Sequence, residues 1–225
     1  TMNGLDVALH DGWAEAPATA RKRQWAVLEG FKEEGCLTAS QREAVMAWVK
    51  SMTDLREATF QADLLSESVS EKSTLKAQLF GQGNEPCPER TVFTSNSSSF
   101  VPSKFAEATG RTVRFAALHC HQMVWVSNVV DLMPHPGTAS EMVEPSGIPP
   151  AHRADPHCAP EGEPRVRLWR HAERLERAPL GLAPNGMASV EDVDRAWVDV
   201  MKTKIGPFGI LDGVGLDTAW DIAQH

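Results

Sequence analysis

Three side chains that together could take a proton from an alcohol lie near the ends of successive apolar segments. Ser98 stands in the serine-rich turn of "FTSNSSSF", His119 ends the apolar run "VRFAALH", and Asp131 follows twelve residues later. An imidazole with a pKa near neutrality can accept a proton in one direction of a reaction and return it in the other. A carboxylate can orient that imidazole and stabilise its charged form. An isolated histidine after such a run would otherwise be read as a buried strand-end residue.

The elements that would position these residues alternate between strands and helices. Short apolar runs predict strands at Leu5–Leu9, Ala62–Leu65, Thr91–Thr94, Val113–Leu118 and Asn128–Met133. Helical spacing predicts helices at 19–31, 38–50, 71–80 and 102–109, with capping by the Ser40–Glu43 pair and by Ser70, and with Pro102 as a first helical residue. This alternation predicts an α/β fold with a mostly parallel sheet covered on both faces.

The pattern changes after the last of these strands. Residues 143–184 hold eight of the fifteen prolines and six arginines, and only "RVRLWRHAERLER" could form a helix there. Order returns in "NGMASVEDVDRAWVDVM", where Ser189 is predicted to cap a helix with Val190, Val193, Trp197 and Val200 on one face. The remaining tail is a helical segment interrupted by glycines.

Composition excludes several classes of function. The net charge of −8 comes without a basic cluster interleaved with aromatic residues, which argues against nucleic-acid binding. No apolar run reaches the roughly 18 residues of a membrane span, and the first residues do not resemble a signal peptide. The four cysteines form no CxxC pair, so we expect no metal and no disulfide framework, and a cytoplasmic location.

Several motifs occur in an order that resembles one enzyme family. They are "LDVALHD", "ADLLSESVSEKSTLKAQLF", "SNSSSFVPSKFAEATGR" followed by "RFAALH", "VVDLMPHPGT", and "NGMASVEDVDRAW" with "GPFGILDGVGLDTAWDI". This succession resembles the NAD-dependent 3-hydroxyacyl-CoA dehydrogenases, including the 3-hydroxybutyryl-CoA dehydrogenases. About 180 of the 225 residues take part in the resemblance.

The resemblance implies a Rossmann-like, mostly parallel sheet followed by the start of an all-α C-terminal domain. We expect an NAD-binding domain at 1–142, an atypical segment rich in proline and arginine at 143–184, and the helical domain at 185–225. The family begins with a strand, a GxGxxG turn and a helix, and no GxGxxG occurs in this sequence. We therefore expect a truncated N-terminal edge.

The resemblance also implies catalytic roles. His119 matches the histidine that takes the proton of the 3-hydroxyl, and Ser98 matches the serine that hydrogen-bonds the substrate oxygen. Asp131 stands where the family has a glutamate that orients the histidine, and it is one methylene shorter. Misplacing a catalytic group by about 1 Å can cost on the order of 10²-fold in rate. Gln122 replaces the asparagine expected three residues after the histidine.

Five positions are implied in NAD binding. Asp11 would hold the adenosine ribose, Glu71 and Lys76 would lie near the nicotinamide ribose, and Ser98 and Gln122 complete the set. Glu71 and Lys76 could instead be a solvated pair on one helix. The basic run 21–23 could attract the phosphates of coenzyme A, or form an exposed helix face.

We therefore expect an oxidoreductase that transfers hydride between NAD and a short (S)-3-hydroxyacyl-CoA. One alternative is a dehydrogenase of free hydroxy acids, similar to the gulonate dehydrogenases. Another is an inactive relative that serves as a binding or scaffold protein. The expected partner is a small acyl-CoA rather than nucleic acid or membrane, and the helical C-terminal domain would form a homodimer.

Overall fold

The computed structural model describes residues 5–120, 129–143, 155–158 and 178–223. Within these residues the strands are β1 (Val7–His10), β2 (Val49–Met52), β3 (Leu64–Glu67), β4 (Val92–Ser95), β5 (Phe115–Cys120), β6 (Val129–Met133) and β7 (Asp155–Cys158). β1 and β2 pair in parallel as one sheet, and the others form a second sheet in the order β3-β4-β5-β6-β7. In this second sheet only β5 and β6 are antiparallel.

Helices separate and follow the strands. Those described are α1 (Ala16–Glu33), α2 (Ala39–Trp48), α3 (Leu55–Thr59), α4 (Ser73–Asn84), α5 (Val190–Met201), α6 (Pro207–Val214) and α7 (Leu216–Ala223). No helix among the described residues is both long enough and apolar enough to cross a membrane. The predicted α/β class, with a mostly parallel sheet followed by helices, is confirmed.

Both faces of the larger sheet are buried under apolar side chains. One face carries a cluster of aromatic rings in which Phe80 of α4 packs on Phe93 of β4 and Phe115 of β5. The opposite face carries a second cluster that includes Leu118 and Leu132. Strands buried on both faces read as continuous apolar runs, which is why β5 was recognisable in the sequence.

Two helix starts differ from the predicted ones. The capping box of α2 is formed by Thr38 and Gln41, whose side chains and backbone N–H groups bond reciprocally, rather than by Ser40 and Glu43. Helix α4 begins only at Ser73, after Lys72, which has extended backbone angles and stands at the N-cap position without a side-chain cap. Glu71 therefore precedes the helix rather than lying on it.

Two short segments also take a different form from the predicted one. The expected helix at 102–109 is two short 3₁₀ helices, Pro102–Lys104 and Glu107–Thr109. Between them Phe105 is buried against Phe80 and Phe100, so the chain turns to bury this ring. The helix expected to continue to residue 50 ends at Trp48.

Two strands were not predicted. β2 follows α2 directly and pairs with β1 in the register Val7↔Val49 to His10↔Met52. β7 lies inside the segment that showed no clear period, and it pairs in parallel with β6. Pro156 is compatible with this position because, among the described strands, β7 lies at the edge of its sheet. The possible helix at 165–177 lies outside the described residues.

Two side chains cap the C-terminal helices, and one of them connects α5 to α6. Ser189 caps α5 as predicted, since its hydroxyl accepts the N–H of Asp192. On the predicted apolar face Val193 is buried, whereas Val200 is 77% exposed. Farther along α5, Asp194 accepts the N–H groups of Phe208 and Gly209 at the start of α6. This carboxylate fixes α6 against α5.

Candidate functional site

The carboxyl ends of β4 and β5 bring a hydroxyl and an imidazole together. The two strands are parallel, with Ser95 opposite Ala117, so the turn after β4 and the end of β5 meet at one edge of the sheet. At this edge Ser98 Oγ lies 3.0 Å from His119 Nε2, a hydrogen-bond distance. Ser98 is partly buried and His119 is buried, so this hydrogen bond is largely withdrawn from bulk water.

The antiparallel pairing of β5 with β6 places the carboxylate. His119 and Asp131 are direct partners in this ladder, and both side chains are buried. The distance from His119 Nδ1 to Asp131 Oδ2 is 3.9 Å, which is within ion-pair reach but longer than a hydrogen bond. Asp131 therefore lies on the side of the imidazole opposite Ser98, as an orienting carboxylate would.

Asn96 ties the serine-rich turn to both neighbouring strands. Its backbone N–H donates to the Glu67 carbonyl at the end of β3, at 2.8 Å. Its side-chain oxygen accepts the N–H of Cys120 at the end of β5, at 2.7 Å. The structure shows that Asn96 holds the turn in place beside His119.

Glu71 holds the two serines on either side of Ser98. Its Oε1 atom accepts hydrogen bonds from the Ser97 hydroxyl, from the Ser99 hydroxyl at 2.7 Å and from the Ser99 N–H at 2.9 Å. Burial raises the pKa of the Glu71 carboxyl, but the Ser97 bond, the Lys76 ammonium and the Ser99 bonds together bring the pKa below its usual value. Glu71 is therefore ionised at neutral pH, and it fixes the backbone around Ser98.

Lys76 and Glu67 lie beneath this turn and are almost fully buried. The Lys76 ammonium bonds Glu67 Oε1 at 2.8 Å and the Val69 carbonyl at 3.0 Å, and it lies 3.2 Å from Glu71 Oε2. The reading of Glu71 and Lys76 as a solvated pair on one helix is wrong, because both are buried and Glu71 precedes the helix. Three acceptors surround this ammonium, which matches its three N–H donors.

Sequence reasoning assigned no role to Glu67, although it lies within a quoted motif. The structure shows that it ends β3, is 1% exposed, and accepts hydrogen bonds from the Val69 N–H and the Ser95 hydroxyl besides that of Lys76. The available signal was an acidic residue directly after a buried strand and shortly before Glu71 and Lys76. Acidic side chains are usually exposed to solvent, so the residue type alone did not predict this burial.

Asp11 lies apart from the Ser98–His119 pair. It follows β1 in the smaller sheet, is exposed, and accepts the Trp13 N–H at 2.9 Å. It lines an open recess of about 590 Å³ between the end of β1 and the first turns of α1, together with Trp13, Thr19 and Arg23. Gln122 lies outside the described residues. One cluster therefore holds five of the predicted residues: Ser98, His119, Asp131, Glu71 and Lys76. Asp11 belongs to a separate recess.

The part of the chain that the structure describes contains no group of three or more acidic, histidine or cysteine side chains arranged to hold a metal ion. Among its cysteines, burial raises the pKa of the Cys120 thiol and of the Cys87 thiol. Both thiols are therefore poor nucleophiles at neutral pH. In the cluster, the group suited to accept and return a proton is the His119 imidazole, with Ser98 and Asp131 beside it.

Solved structures share this fold over nearly the whole chain. A diketoreductase, described as acting on dicarbonyl compounds, is 29% identical with a TM-score of 0.76, covering 99% of this chain and 80% of its own. FadB2 of M. tuberculosis is 25% identical with a TM-score of 0.79, covering 99% and 79%. A 3-hydroxybutyryl-CoA dehydrogenase of Escherichia coli is 27% identical with a TM-score of 0.76, covering 99% and 47%.

Models of one protein family match two regions of the chain. Residues 1–146 match the NAD binding domain of 3-hydroxyacyl-CoA dehydrogenase, and residues 170–225 match the C-terminal domain of the same family. The first match alone covers more than half of the chain and gives NAD as the cofactor. The α/β sheet, the helices after it and both matches lead to one conclusion: this chain belongs to the 3-hydroxyacyl-CoA dehydrogenase family of NAD-dependent oxidoreductases.

Proposed function

We propose that this chain oxidises the 3-hydroxyl group of short (S)-3-hydroxyacyl-CoA esters, such as 3-hydroxybutyryl-CoA, and reduces the corresponding 3-oxo esters in reverse. The observation that carries the proposal is the buried contact between Ser98 Oγ and His119 Nε2, with Asp131 behind the imidazole. A hydroxyl at this contact would meet a hydrogen-bonding partner and a proton acceptor at once.

His119 is the proposed general base. For Nε2 to accept the substrate proton, the ring proton must reside on Nδ1, the side that faces Asp131. The carboxylate favours this tautomer and stabilises the imidazolium that forms when the hydroxyl proton is taken. In the reverse direction the same Nε2 returns the proton to the developing alkoxide.

Ser98 is the proposed positioning group for the substrate oxygen. A serine hydroxyl can donate one hydrogen bond and accept others, so it can remain bonded to His119 or turn to the substrate oxygen. Glu71 holds Ser97 and Ser99 on both sides of it, which limits the movement of Ser98. NAD, when bound, supplies the acceptor of the hydride that leaves the carbon as His119 takes the proton.

Residues that fit NAD lie at two places. The exposed carboxylate of Asp11 in its open recess suits the paired hydroxyls of a ribose. Glu71 and Ser98 border the place where the reacting carbon must lie, and we propose them, together with Gln122, as the nicotinamide end. Lys76 is already bonded to three acceptors, so its proposed contribution is to hold Glu71 and Glu67 in place.

The test is NAD-linked oxidation of 3-hydroxybutyryl-CoA, followed by NADH absorbance. His119→Gln should lower kcat by on the order of 10²–10⁴-fold, since it removes a general base. Ser98→Ala should also lower kcat, whereas the exposed Ser140→Ala should have no effect. Turnover by folded His119→Gln at the rate of the unmodified chain would refute the proposal. NAD binding without turnover on any hydroxy substrate would favour the scaffold alternative.

A second candidate function is the oxidation of free hydroxy acids or the reduction of free dicarbonyl compounds. It is favoured by the 29% identity to a diketoreductase whose described substrates are dicarbonyl compounds. The CoA-ester candidate is favoured instead by three basic residues that could meet coenzyme A phosphates. These residues are exposed on α1: Arg21, Lys22 and Arg23. Comparing kcat/KM for 3-hydroxybutyryl-CoA and for free 3-hydroxybutyrate separates the two candidates.

We also propose that the chain acts in the cytoplasm, in fatty acid metabolism, as a homodimer formed through its C-terminal helices. The support for the dimer is the exposure of large apolar side chains on α5 and α7, among them Val200 at 77%, Trp220 at 67% and Leu216 at 65%. Surfaces of this kind mark association sites in many proteins. Sedimentation of the chain should give twice its monomer mass, and Trp220→Glu should reduce that mass to the monomer.

A further inference from the structure

The buried cluster beneath the serine-rich turn holds two carboxylates and one ammonium. Glu67 is 1% exposed, Glu71 6% and Lys76 1%. Lys76 lies 2.8 Å from one carboxylate and 3.2 Å from the other. Among the described residues, no further cation forms an ion pair with either carboxylate. The cluster therefore carries one more negative charge than positive charge in a region withdrawn from water.

Both carboxylates lie among hydrogen-bond donors. Glu67 accepts through both oxygens, from Val69 N–H and Lys76 at Oε1 and from the Ser95 hydroxyl at Oε2. Glu71 accepts from Ser97 and Ser99 at one oxygen and faces Lys76 with the other. An arrangement of this kind suits the charged form of a carboxylate, which can only accept hydrogen bonds.

This charge lies next to the place of hydride transfer. Glu71 bonds the residues on both sides of Ser98, and Ser98 contacts His119. A carbon that loses hydride while His119 takes its hydroxyl proton must lie at this contact, and the nicotinamide ring must lie against that carbon. The oxidised ring carries one positive charge that the reduced ring lacks. A fixed negative charge nearby stabilises the oxidised form selectively.

We propose that Glu67 supplies the surplus negative charge by which this site favours oxidised NAD over NADH. This inference rests on the hydride transfer proposed above. Glu71 and Lys76 alone would form a neutral pair, so the sign of the cluster depends on Glu67. The Glu67 carboxylate bonds Ser95 and Lys76 rather than Ser98, so it acts on the reacting groups through these neighbours and through its charge, as a positioning and electrostatic residue.

The test is the affinity for the two forms of the cofactor, measured with the full chain and without substrate. NADH binding is followed by its fluorescence, and oxidised NAD by displacement of NADH. Glu67→Gln keeps the size of the side chain and removes its charge. It should weaken binding of oxidised NAD by about tenfold and change NADH binding by less than about twofold, since only the oxidised ring is charged.

Two further variants separate charge from packing. Glu67→Asp keeps the charge with a shorter side chain, so it should preserve the ratio of the two affinities even if both affinities fall. Glu85→Gln removes the same charge at the far end of α4, where the Glu85 side chain is 80% exposed, and should leave the ratio unchanged. A purely structural role for Glu67 would weaken both cofactor forms equally.

The result that overturns the inference is an unchanged ratio in folded Glu67→Gln, or an equal loss of both affinities. If Glu67→Gln does not fold, Lys76→Gln carries the test, because it makes the cluster more negative and should shift the ratio further toward oxidised NAD. An unchanged ratio there also overturns the inference. No binding of either form by the unmodified chain would overturn it together with the cofactor site. The proposed function fails separately, when cofactor binds but 3-hydroxyacyl-CoA is not oxidised.

Discussion

Replacing Asp131 with glutamate tests how the carboxylate acts on the imidazole. The 3.9 Å between Asp131 Oδ2 and His119 Nδ1 leaves a gap that one additional methylene can close to a charge-assisted hydrogen bond of about 2.8 Å. Both side chains are buried, so the attraction is only weakly screened. At an effective dielectric constant of about 20, the shorter distance strengthens the attraction to an imidazolium by roughly 1.5 kcal/mol.

That gain should appear in the rate, because the imidazolium forms only as the proton is taken. An additional stabilisation of roughly 1.5 kcal/mol corresponds to about a tenfold increase in kcat for Asp131→Glu. Asp131→Asn removes an attraction of about 4 kcal/mol at the present distance, so kcat should fall by on the order of 10²–10³-fold. Both changes should leave KM for NAD nearly unaltered.

The assay is the initial rate of NADH formation from 3-hydroxybutyryl-CoA, with the melting temperature measured in parallel. Asp199→Glu, on the exposed side of α5, is the matched control and should change neither quantity. The added methylene at position 131 enters a packed region and can cost about 1–3 kcal/mol of stability, which the melting temperature reports. The reasoning is refuted if folded Asp131→Glu shows no gain in kcat, or if Asp131→Asn retains full activity.

Three further predictions concern stability. The folded-state pKa of Glu71 is lowered, so its contribution to the free energy of unfolding is complete above the usual value of 4.5 and is lost as pH falls through the folded value. The urea midpoint of unfolding should therefore fall with pH in that acid range. The fall should be less steep for Glu71→Gln. Equal slopes would contradict this. Asp194→Ala removes the cap of α6 and should cost about 1–2 kcal/mol in urea unfolding, whereas Asp199→Ala should cost little. Lys202 ends α5 with φ of 56°, so Lys202→Gly should raise the free energy of unfolding by about 0.5–1 kcal/mol, and a loss would contradict the left-handed cap.

Some features that depend only on neighbouring residues were readable from the sequence, although the caps predicted for α2 and α4 were not the observed ones. Ser189 as an N-cap is such a feature, because capping involves residues within one helical turn. The mostly apolar run of β5 is another, and the alternation of such runs with helical patterns predicted the α/β class. The types and order of Ser98, His119 and Asp131 likewise indicated proton transfer and resembled the family that the comparisons then showed.

Features that depend on distant residues were not readable in this way. The pairing of β2 with β1 takes Val49 and Lys50 out of the predicted helix, and β7 pairs through its backbone despite an irregular composition. β2 forms by pairing with β1, and β7 forms by pairing with β6. The local sequence of β2 or β7 does not indicate which distant strand it will pair with.

The sequence by itself determined which chemical groups this protein holds and in which order along the chain. Tertiary structure alone decided how near they come: the β5–β6 register puts Asp131 opposite His119 at 3.9 Å, and the closing of β3, β4 and α4 buries Glu67 with Lys76. The physical reason is that residue type fixes charge and hydrogen-bonding capacity. Distance and burial arise only when strands far apart in sequence pair and exclude water.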